Sequence, residues 1–166
     1  MRSLIVLVLA ALLAAGNMTS AWAMGDAGFV QQTLVGKKAQ DFTLDTVRNQ
    51  KINLAKYTQG KKAIVVFWAT WCPHCRVAVQ EISAKSKDIA SNNIAVVFVS
   101  VGEPAQTVGR YLEQHSYDFD VALDEDQSVS DAYRLIGVPT LVYIDQQGNI
   151  RSVEYQFSAD YNERFR

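Results

Sequence analysis

Cys72 and Cys75 are the two cysteines of this 166-residue chain, and their type and spacing could do chemistry. Such a pair can form a structural disulfide, supply half of a zinc site, or exchange disulfides with another molecule. A bridge between them closes a very short loop, so it would remove little entropy from the unfolded chain. A structural zinc site takes about four ligands, and adjacent His74 with distant His115 would complete that set poorly. The spacing therefore favours redox chemistry.

The cysteine pair stands at the predicted start of a helix. Residues 63–68 form a continuous apolar, β-branched run, which is typical of a central strand buried on both faces. From Pro73 onward, apolar residues recur at helical spacing. The predicted core-facing stripe consists of Cys75, Val79, Ile82, Ser86 and Ile89. Backbone N–H groups at a helix start favour an anion, so we expect the pKa of Cys72 to lie below the ~8.5 of a free thiol.

The same geometry predicts different roles for the two sulfurs. Cys72, ahead of the helix, is expected to be exposed and to act as the nucleophile. Cys75, one turn into the helix, is expected to be shielded and to resolve the mixed disulfide. Pro73 suits the first helical position because its missing N–H is not needed there. His74 can lend positive charge or a hydrogen bond to the sulfur of Cys72, so we expect Pro73 and His74 to tune it.

The remainder of the chain predicts one α/β domain in which strands and helices alternate. The predicted elements are a hairpin formed by 39–44 and 51–54, a connection over 57–62, the helix from Pro73 to 91–93, a strand over 94–101, a helix with Pro104 in its first turn that ends near His115, a strand over 119–123, a helix over 128–135, a hairpin formed by 141–145 and 150–155, and at most two helical turns over 158–166. Strand, helix and strand over 63–101 imply a parallel crossover. The acids 124–126 are expected to cap the helix that follows them.

The charge and the N-terminal sequence indicate an exported protein without affinity for nucleic acid. Sixteen Lys plus Arg against 17 Asp plus Glu give a net charge of −1, which supplies no basic field. Residues 1–23 combine Arg2, an apolar run and an A-x-A site, as a secretory signal peptide does. The run from Leu4 to Ala15 is shorter than the ~20 residues that a membrane span needs. We expect cleavage after Ala23, with retention as an anchor as the alternative, and then a flexible segment over 24–35.

Several motifs carry a resemblance to a known superfamily. The tryptophan-flanked Cys-x-x-Cys after an apolar strand, with Gly137-Val138-Pro139-Thr140 later, resembles the thioredoxin superfamily. Similarity to its exported TlpA/ResA-like branch rests on Ala39-Gln40-Asp41-Phe42-Thr43-Leu44, Phe67-Trp68-Ala69-Thr70-Trp71-Cys72 and Val99-Ser100-Val101-Gly102-Glu103. The resemblance covers about residues 36–155. It implies a thioredoxin-like domain over 36–166, with a central mixed sheet flanked by helices, an N-terminal β-hairpin and a strand-helix insertion.

The resemblance also implies a substrate-binding face around the cysteines. Pro139 is expected to be cis and to lie beside Cys72, with the backbone of Val138 pairing with an extended segment of the substrate. Trp71 is expected to border the substrate groove, whereas Trp68 belongs to the core. The implied substrates are therefore proteins that present a thiol or a disulfide.

The chain departs from that branch in ways that bear on the direction of electron flow. Branch members usually carry Glu where this chain has Ala78, and thioredoxin has a buried Asp where it has Val66. Neither usual carboxyl is present to relay a proton from Cys75. The dipeptide Pro73-His74 is the one found in the strongly oxidising DsbA proteins. The flanking motifs thus favour a reductant, whereas the residues inside the cysteine pair favour an oxidant.

These observations predict a periplasmic or otherwise exported thiol-disulfide oxidoreductase with a Cys72/Cys75 couple, acting in cytochrome c maturation or in oxidative folding. We expect a monomer without a cofactor or metal, no membrane span after cleavage, and a membrane-bound or exported redox partner. One alternative is a copper-binding chaperone that uses both thiolates and a histidine. Another is a peroxiredoxin, whose motif would need Pro and Thr where this chain has Val65 and Ala69.

Overall fold

The computed structural model describes residues 33–166, so the predicted leader over 1–23 and the part of the predicted flexible segment before Thr33 lie outside the described residues. The strands are β1 (Thr43–Asp45), β2 (Lys51–Asn53), β3 (Lys62–Trp68), β4 (Ile94–Val101), β5 (Val121–Asp124), β6 (Thr140–Ile144) and β7 (Ile150–Glu154). The helices are α1 (Leu54–Thr58), α2 (Pro73–Ala84), α3 (Ser86–Ser91), α4 (Ala105–Gln114) and α5 (Ser128–Ala132), followed by a 3-10 helix over Tyr161–Phe165.

Five strands form the central mixed sheet, in the order β5-β4-β3-β6-β7. β3, β4 and β5 run parallel, whereas β6 is antiparallel to β3 and β7 is antiparallel to β6. β1 and β2 form a separate antiparallel pair. A single bridge between Thr46 and Ala122 joins that pair to the β5 edge. The predicted mixed α/β fold, both hairpins and the parallel crossover are confirmed.

β3 is buried because apolar layers cover both faces of the sheet. Ile64, Val66 and Trp68 pack into one cluster, which also contains both cysteines. Val65 and Phe67, which point to the other face, pack into a second cluster. All five side chains are fully buried. The two layers therefore fix the point at which the chain leaves the sheet and enters the cysteine loop.

Residues 36–39 pair with the turn between β6 and β7 and with the first residue of β7. Backbone hydrogen bonds and a β-bridge join residues 36–39 to residues 148–150. β6 begins opposite Phe67 and ends opposite Ala63 of β3. The turn that follows β6 therefore lies at the end of the sheet opposite to the one where β3 ends.

Helix α1 replaces part of the connection predicted for 57–62. Asn53, the last residue of β2, caps this helix, because its side-chain oxygen accepts the N–H of Lys56 at 3.0 Å. Leu54 is buried as the first helical residue, so the predicted second strand of the hairpin ends one residue early. An asparagine cap allows a helix to begin directly at a strand end.

The helix predicted from Pro73 to 91–93 is two helices. Lys85 separates α2 from α3 with φ −98° and ψ 8°. Ser86 is exposed, whereas Ile89 remains buried. Ser86 was the only hydroxyl in the predicted stripe, so the interruption keeps a polar side chain out of the core.

Two further helix boundaries differ from the prediction. Pro104 is the N-cap of α4 and not part of its first turn, because its ψ of 151° is extended. Helix α5 ends at Ala132, three residues before the predicted end at 135, and Arg134 then takes a left-handed φ of 52°. A backbone of that kind cannot continue a right-handed helix.

Asp124 and Asp126 accept N–H groups at the start of α5 as predicted, whereas Glu125 accepts the N–H of Ala105 at the start of α4. Asp124 is the buried member of the three. Asp124 ends β5 and is fully buried. Its Oδ1 accepts the N–H of Val129 at 3.0 Å, and its Oδ2 accepts the N–H of Ser130 at 2.8 Å. Hydrogen bonds from backbone N–H groups to a carboxylate offset the cost of burying it.

We expect Asp124→Asn to lower the free energy of unfolding by about 1–3 kcal/mol, because the amide would leave one buried N–H without an acceptor. Chemical denaturation followed by circular dichroism measures the change. Asp118→Asn is the control, since the Asp118 side chain is 97% exposed in its ion pair with Arg48. Exposed ion pairs contribute about 0–1 kcal/mol, so equal losses in the two variants would contradict the prediction.

Candidate functional site

The cysteine pair lies where the chain leaves β3 and enters α2, as the sequence predicts. Cys72 is the N-cap of α2 with extended backbone, and Pro73 is the first helical residue. The two cysteines form a disulfide, and Cys72 Sγ also accepts the N–H of Cys75 at 3.2 Å. The sulfur of Cys72 thus occupies the place of the side-chain oxygen that usually caps a helix. A helix N-terminus favours negative charge at that place.

The exposure predicted for Cys72 is wrong. Cys72 is 4% exposed and Cys75 is 0% exposed. The carbonyl oxygen of Val138 lies 3.5 Å from Cys72 Sγ, although Val138 is 66 residues away in the chain. The helical pattern around Cys72 could not reveal a cover that comes from such a distant segment. Cys72 is nevertheless the more accessible of the two sulfurs.

The segment that covers Cys72 is the turn that leads into β6. The Val138–Pro139 peptide bond is cis, as the resemblance implies. Thr140, the next residue, pairs with Phe67 of β3. This pairing brings Pro139 to the strand end from which the cysteine loop departs. Two segments that are distant in sequence therefore form one site.

Apolar side chains are exposed around the disulfide. Trp71 is 66% exposed, whereas Trp68 is fully buried, as expected for a core tryptophan. Ile136, two residues before Val138, is 49% exposed. Large exposed apolar side chains often mark contact surfaces. Trp71 precedes Cys72 in the chain, and Ile136 lies two residues before Val138, whose carbonyl contacts Cys72 Sγ.

His74 is exposed and lines a cavity of about 160 Å³ together with Val77, Tyr155 and Phe157. Within residues 33–166, His74 makes no hydrogen bond to Cys72 Sγ while the disulfide is formed. His74 lies two residues after Cys72, so its charge is the remaining means by which it could tune that sulfur.

The positions of the two absent carboxyls are apolar and buried. Val66 is 0% exposed and Ala78 is 2% exposed. Both belong to the cluster that contains the two cysteines, but only Cys72 stands at the N-cap of α2. Apolar surroundings disfavour a thiolate. The site therefore favours negative charge on Cys72 and disfavours it on Cys75.

Glu103 is a buried acid to which the sequence assigned no role. It is 6% exposed, and its carboxylate receives hydrogen bonds from two residues at the ends of neighbouring strands. Thr70 donates its N–H to Oε2 at 2.8 Å and its hydroxyl to Oε1 at 2.5 Å, and Ser100 donates its hydroxyl to Oε2 at 3.0 Å. The sequence signal that could have revealed this role is the position of the acid Glu103 two residues after the apolar strand β4.

Two other properties of the described residues concern membranes and metals. Between Thr33 and Arg166, none of the helices has both the length and the apolar character to cross a bilayer. In the same part of the chain, His, Cys, Asp and Glu side chains do not gather in groups of three or more that could hold a metal ion.

The mixed sheet, the disulfide at the start of the helix after the central strand, and the cis-proline segment facing it define a protein of thioredoxin fold. The chain belongs to the AhpC/TSA family, whose sequence model matches residues 35–153.

Named relatives agree with this assignment. The chain is 30% identical over 118 residues to the thiol-disulfide oxidoreductase ResA of Bacillus subtilis (strain 168), covering 71% of this chain and 65% of the relative. It is 28% identical over 127 residues to the ResA of Geobacillus kaustophilus (strain HTA426), with coverages of 75% and 72%. A thiol:disulfide interchange protein of the thioredoxin family from Chlorobium tepidum TLS superposes with a TM-score of 0.66 at 28% identity, covering 77% of this chain and 92% of that one. The chain thus spans just under two thirds of the Bacillus subtilis relative's length.

We expect the reduced protein to titrate Cys72 with a pKa clearly below the ~8.5 of a free thiol, because the start of α2 stabilises the thiolate. Ultraviolet absorbance of the thiolate in Cys75→Ser, which retains one thiol, measures this pKa. Cys72→Ser is the matched control, in which the buried Cys75 should titrate at or above the free-thiol value. A Cys72 pKa at or above that value would contradict the prediction.

Proposed function

We propose that this protein is a thiol-disulfide oxidoreductase that exchanges disulfides with protein substrates through Cys72 and Cys75. The observation that carries the proposal is the disulfide at the start of α2, in which Cys72 Sγ accepts the N–H of Cys75. This arrangement stabilises Cys72 as a thiolate, and the thiolate is both the nucleophile and the leaving group of disulfide exchange. The names of the relatives support the same activity.

The difference in burial between the two cysteines supports an order for the steps of the exchange. Cys75 is 0% exposed and Cys72 is 4% exposed, so we expect a substrate thiolate to attack Cys72. The Cys72–Cys75 bond breaks, and Cys75 leaves as a thiolate that takes up a proton. A second substrate thiolate then attacks the substrate sulfur of the mixed disulfide and releases Cys72 as a thiolate. The substrate loses two electrons and gains a disulfide; the reverse sequence reduces a substrate disulfide.

The proposed substrate is an extended protein segment that lies across the turn before β6. Val138 stands beside Cys72 with its carbonyl 3.5 Å from the sulfur, and its backbone could pair with such a segment. Trp71 and Ile136 offer exposed apolar surface for neighbouring substrate side chains. Pairing through backbone atoms would allow substrates of many sequences.

We propose that the physiological direction is oxidation of substrates outside the cytoplasm. Pro73 and His74 separate the cysteines, and Val66 and Ala78 leave Cys75 in apolar surroundings. Both features favour the reduced form with its thiolate on Cys72, and a stable reduced form makes the disulfide a stronger oxidant. The leader pattern over 1–23 supports export to a periplasm or similar compartment. We propose that the mature protein is a monomer there and that a membrane-bound or exported partner re-oxidises the cysteine pair.

Two processes fit an exported thiol-disulfide oxidoreductase of this kind, namely oxidative folding and cytochrome c maturation. The oxidising direction favours oxidative folding, whereas the resemblance of the flanking motifs to the exported TlpA/ResA-like branch favours cytochrome c maturation. Peroxide reduction is not proposed, because Val65 and Ala69 are buried apolar residues at the positions where a peroxiredoxin needs Pro and Thr.

The test of the activity uses a peptide that carries one activated disulfide. Reduced Cys75→Ser should attack the peptide through Cys72 and remain joined to it, whereas the wild type should release the reduced peptide through Cys75. Mass spectrometry of the protein identifies the adduct. The matched control, Cys72→Ser, should react at least about tenfold more slowly, because its remaining thiol is buried. Equal adduct formation in both variants would contradict the proposed roles.

The direction of electron flow is tested by the reduction potential of the couple. We expect a value well above the roughly −270 mV of thioredoxin and towards the roughly −120 mV of DsbA, because the reduced form is stabilised. Equilibration with glutathione, followed by quantification of oxidised and reduced protein, gives the potential, and thioredoxin measured in parallel is the control. A value at or below that of thioredoxin would indicate a reductant.

A further inference from the structure

Glu103 lies outside the cysteine loop, at the same end of the sheet. Ser100 pairs with Trp68, the last residue of β3, so the two strands end side by side. Gly102 then takes a left-handed φ of 69°, and its N–H donates to the carbonyl of Asp124 at 2.9 Å. Glycine adopts that conformation without strain. The turn at Gly102 places Glu103 under the loop that leaves β3.

Two of the three hydrogen bonds described for the Glu103 carboxylate come from one residue of that loop. Thr70 donates both its backbone N–H and its hydroxyl, one to each carboxylate oxygen. An ionised carboxylate only accepts hydrogen bonds, so it suits donors of this kind. Hydrogen bonds to a charged acceptor are stronger than neutral ones. Glu103 therefore holds Thr70 at two points.

Thr70 is close in the chain to the reactive cysteine. It stands two residues before Cys72, and the N–H of Cys72 donates to the carbonyl of Ala69 at 3.2 Å. The carbonyl of Thr70 accepts the Nε–H of Arg76, from the first turn of α2, at 3.2 Å. Thr70 is thus fixed on one side to Glu103 and on the other side to the helix that Cys72 caps.

We infer that Glu103 is a positioning residue for the redox couple. By fixing Thr70, it holds Cys72 Sγ at the start of α2, where the N–H of Cys75 stabilises the thiolate. This inference rests on the proposed function, because it assigns to Glu103 the setting of the reduction potential of Cys72 and Cys75. Glu103 acts through Thr70 and does not take part in the exchange of disulfides.

Positioning and direct charge predict opposite results when Glu103 is neutralised. Glutamine has one oxygen where the carboxylate has two, so Thr70 would lose an acceptor, the loop would loosen, and the pKa of Cys72 would rise. A simple loss of negative charge near Cys72 would favour the thiolate and lower that pKa. The sign of the change therefore separates the two effects.

The experiment measures the thiolate pKa of Cys72 and the equilibrium constant with glutathione in Glu103→Gln. We expect the pKa to rise by about 0.5–1 and the couple to become three- to tenfold less oxidising; a tenfold change is about 30 mV. Thr70→Val, which keeps the N–H and the charge but loses the hydroxyl, should change both quantities in the same direction by a smaller amount. Thr70→Ser, which restores a hydroxyl, should return both to the wild-type values.

Asp124→Asn is the matched control for the loss of a buried strand-end carboxylate. It should lower stability and leave the pKa of Cys72 and the potential at their wild-type values. An unchanged or lowered Cys72 pKa in folded Glu103→Gln would overturn the inference. If Glu103→Gln does not fold, an unchanged or lowered Cys72 pKa in Thr70→Val would overturn it instead. Because the wild type is assayed in parallel, absence of exchange in the wild type would contradict the proposed function, whereas normal exchange with unresponsive variants would contradict this inference alone.

Discussion

The hydrogen bond from the N–H of Cys75 to Cys72 Sγ is the interaction on which the site depends. This hydrogen bond requires Cys72 to be the N-cap of α2. The position of the N-cap depends in turn on where β3 ends. Full burial of β3 between two apolar layers provides that fixed exit. The same bond links structure to reactivity, because the group that starts the helix is also the group that must carry negative charge during exchange.

Buried carboxylates lie at the ends of two neighbouring parallel strands. Asp124 at the end of β5 and Glu103 just beyond β4 are both buried carboxylates, and each accepts a backbone N–H at 2.8 Å from a neighbouring segment. In each case the acid fixes a segment at the edge of the sheet: the start of α5 for Asp124, and the cysteine loop for Glu103. The two acids differ in consequence because only one of these segments carries a reactive sulfur.

Local sequence pattern predicted those features that depend on local burial. The apolar runs gave β3 and β4 within one residue, and Pro73 with the apolar stripe gave the start of α2. The break at Lys85 and the cap at Asn53 depend on single residues inside otherwise continuous patterns, and the pattern alone missed them.

Features that depend on pairing between distant segments were beyond sequence pattern. Cys72 is covered by Val138, which strand pairing brings next to it from 66 residues away. Glu103 meets Thr70 because the register of β3 and β4 places Ser100 beside Trp68. Residues 36–39 pair with residues 148–150, at the end of the sheet opposite to the disulfide. Contacts made by residues 36–39 therefore lie at the opposite end of the sheet and do not cover the cysteine site.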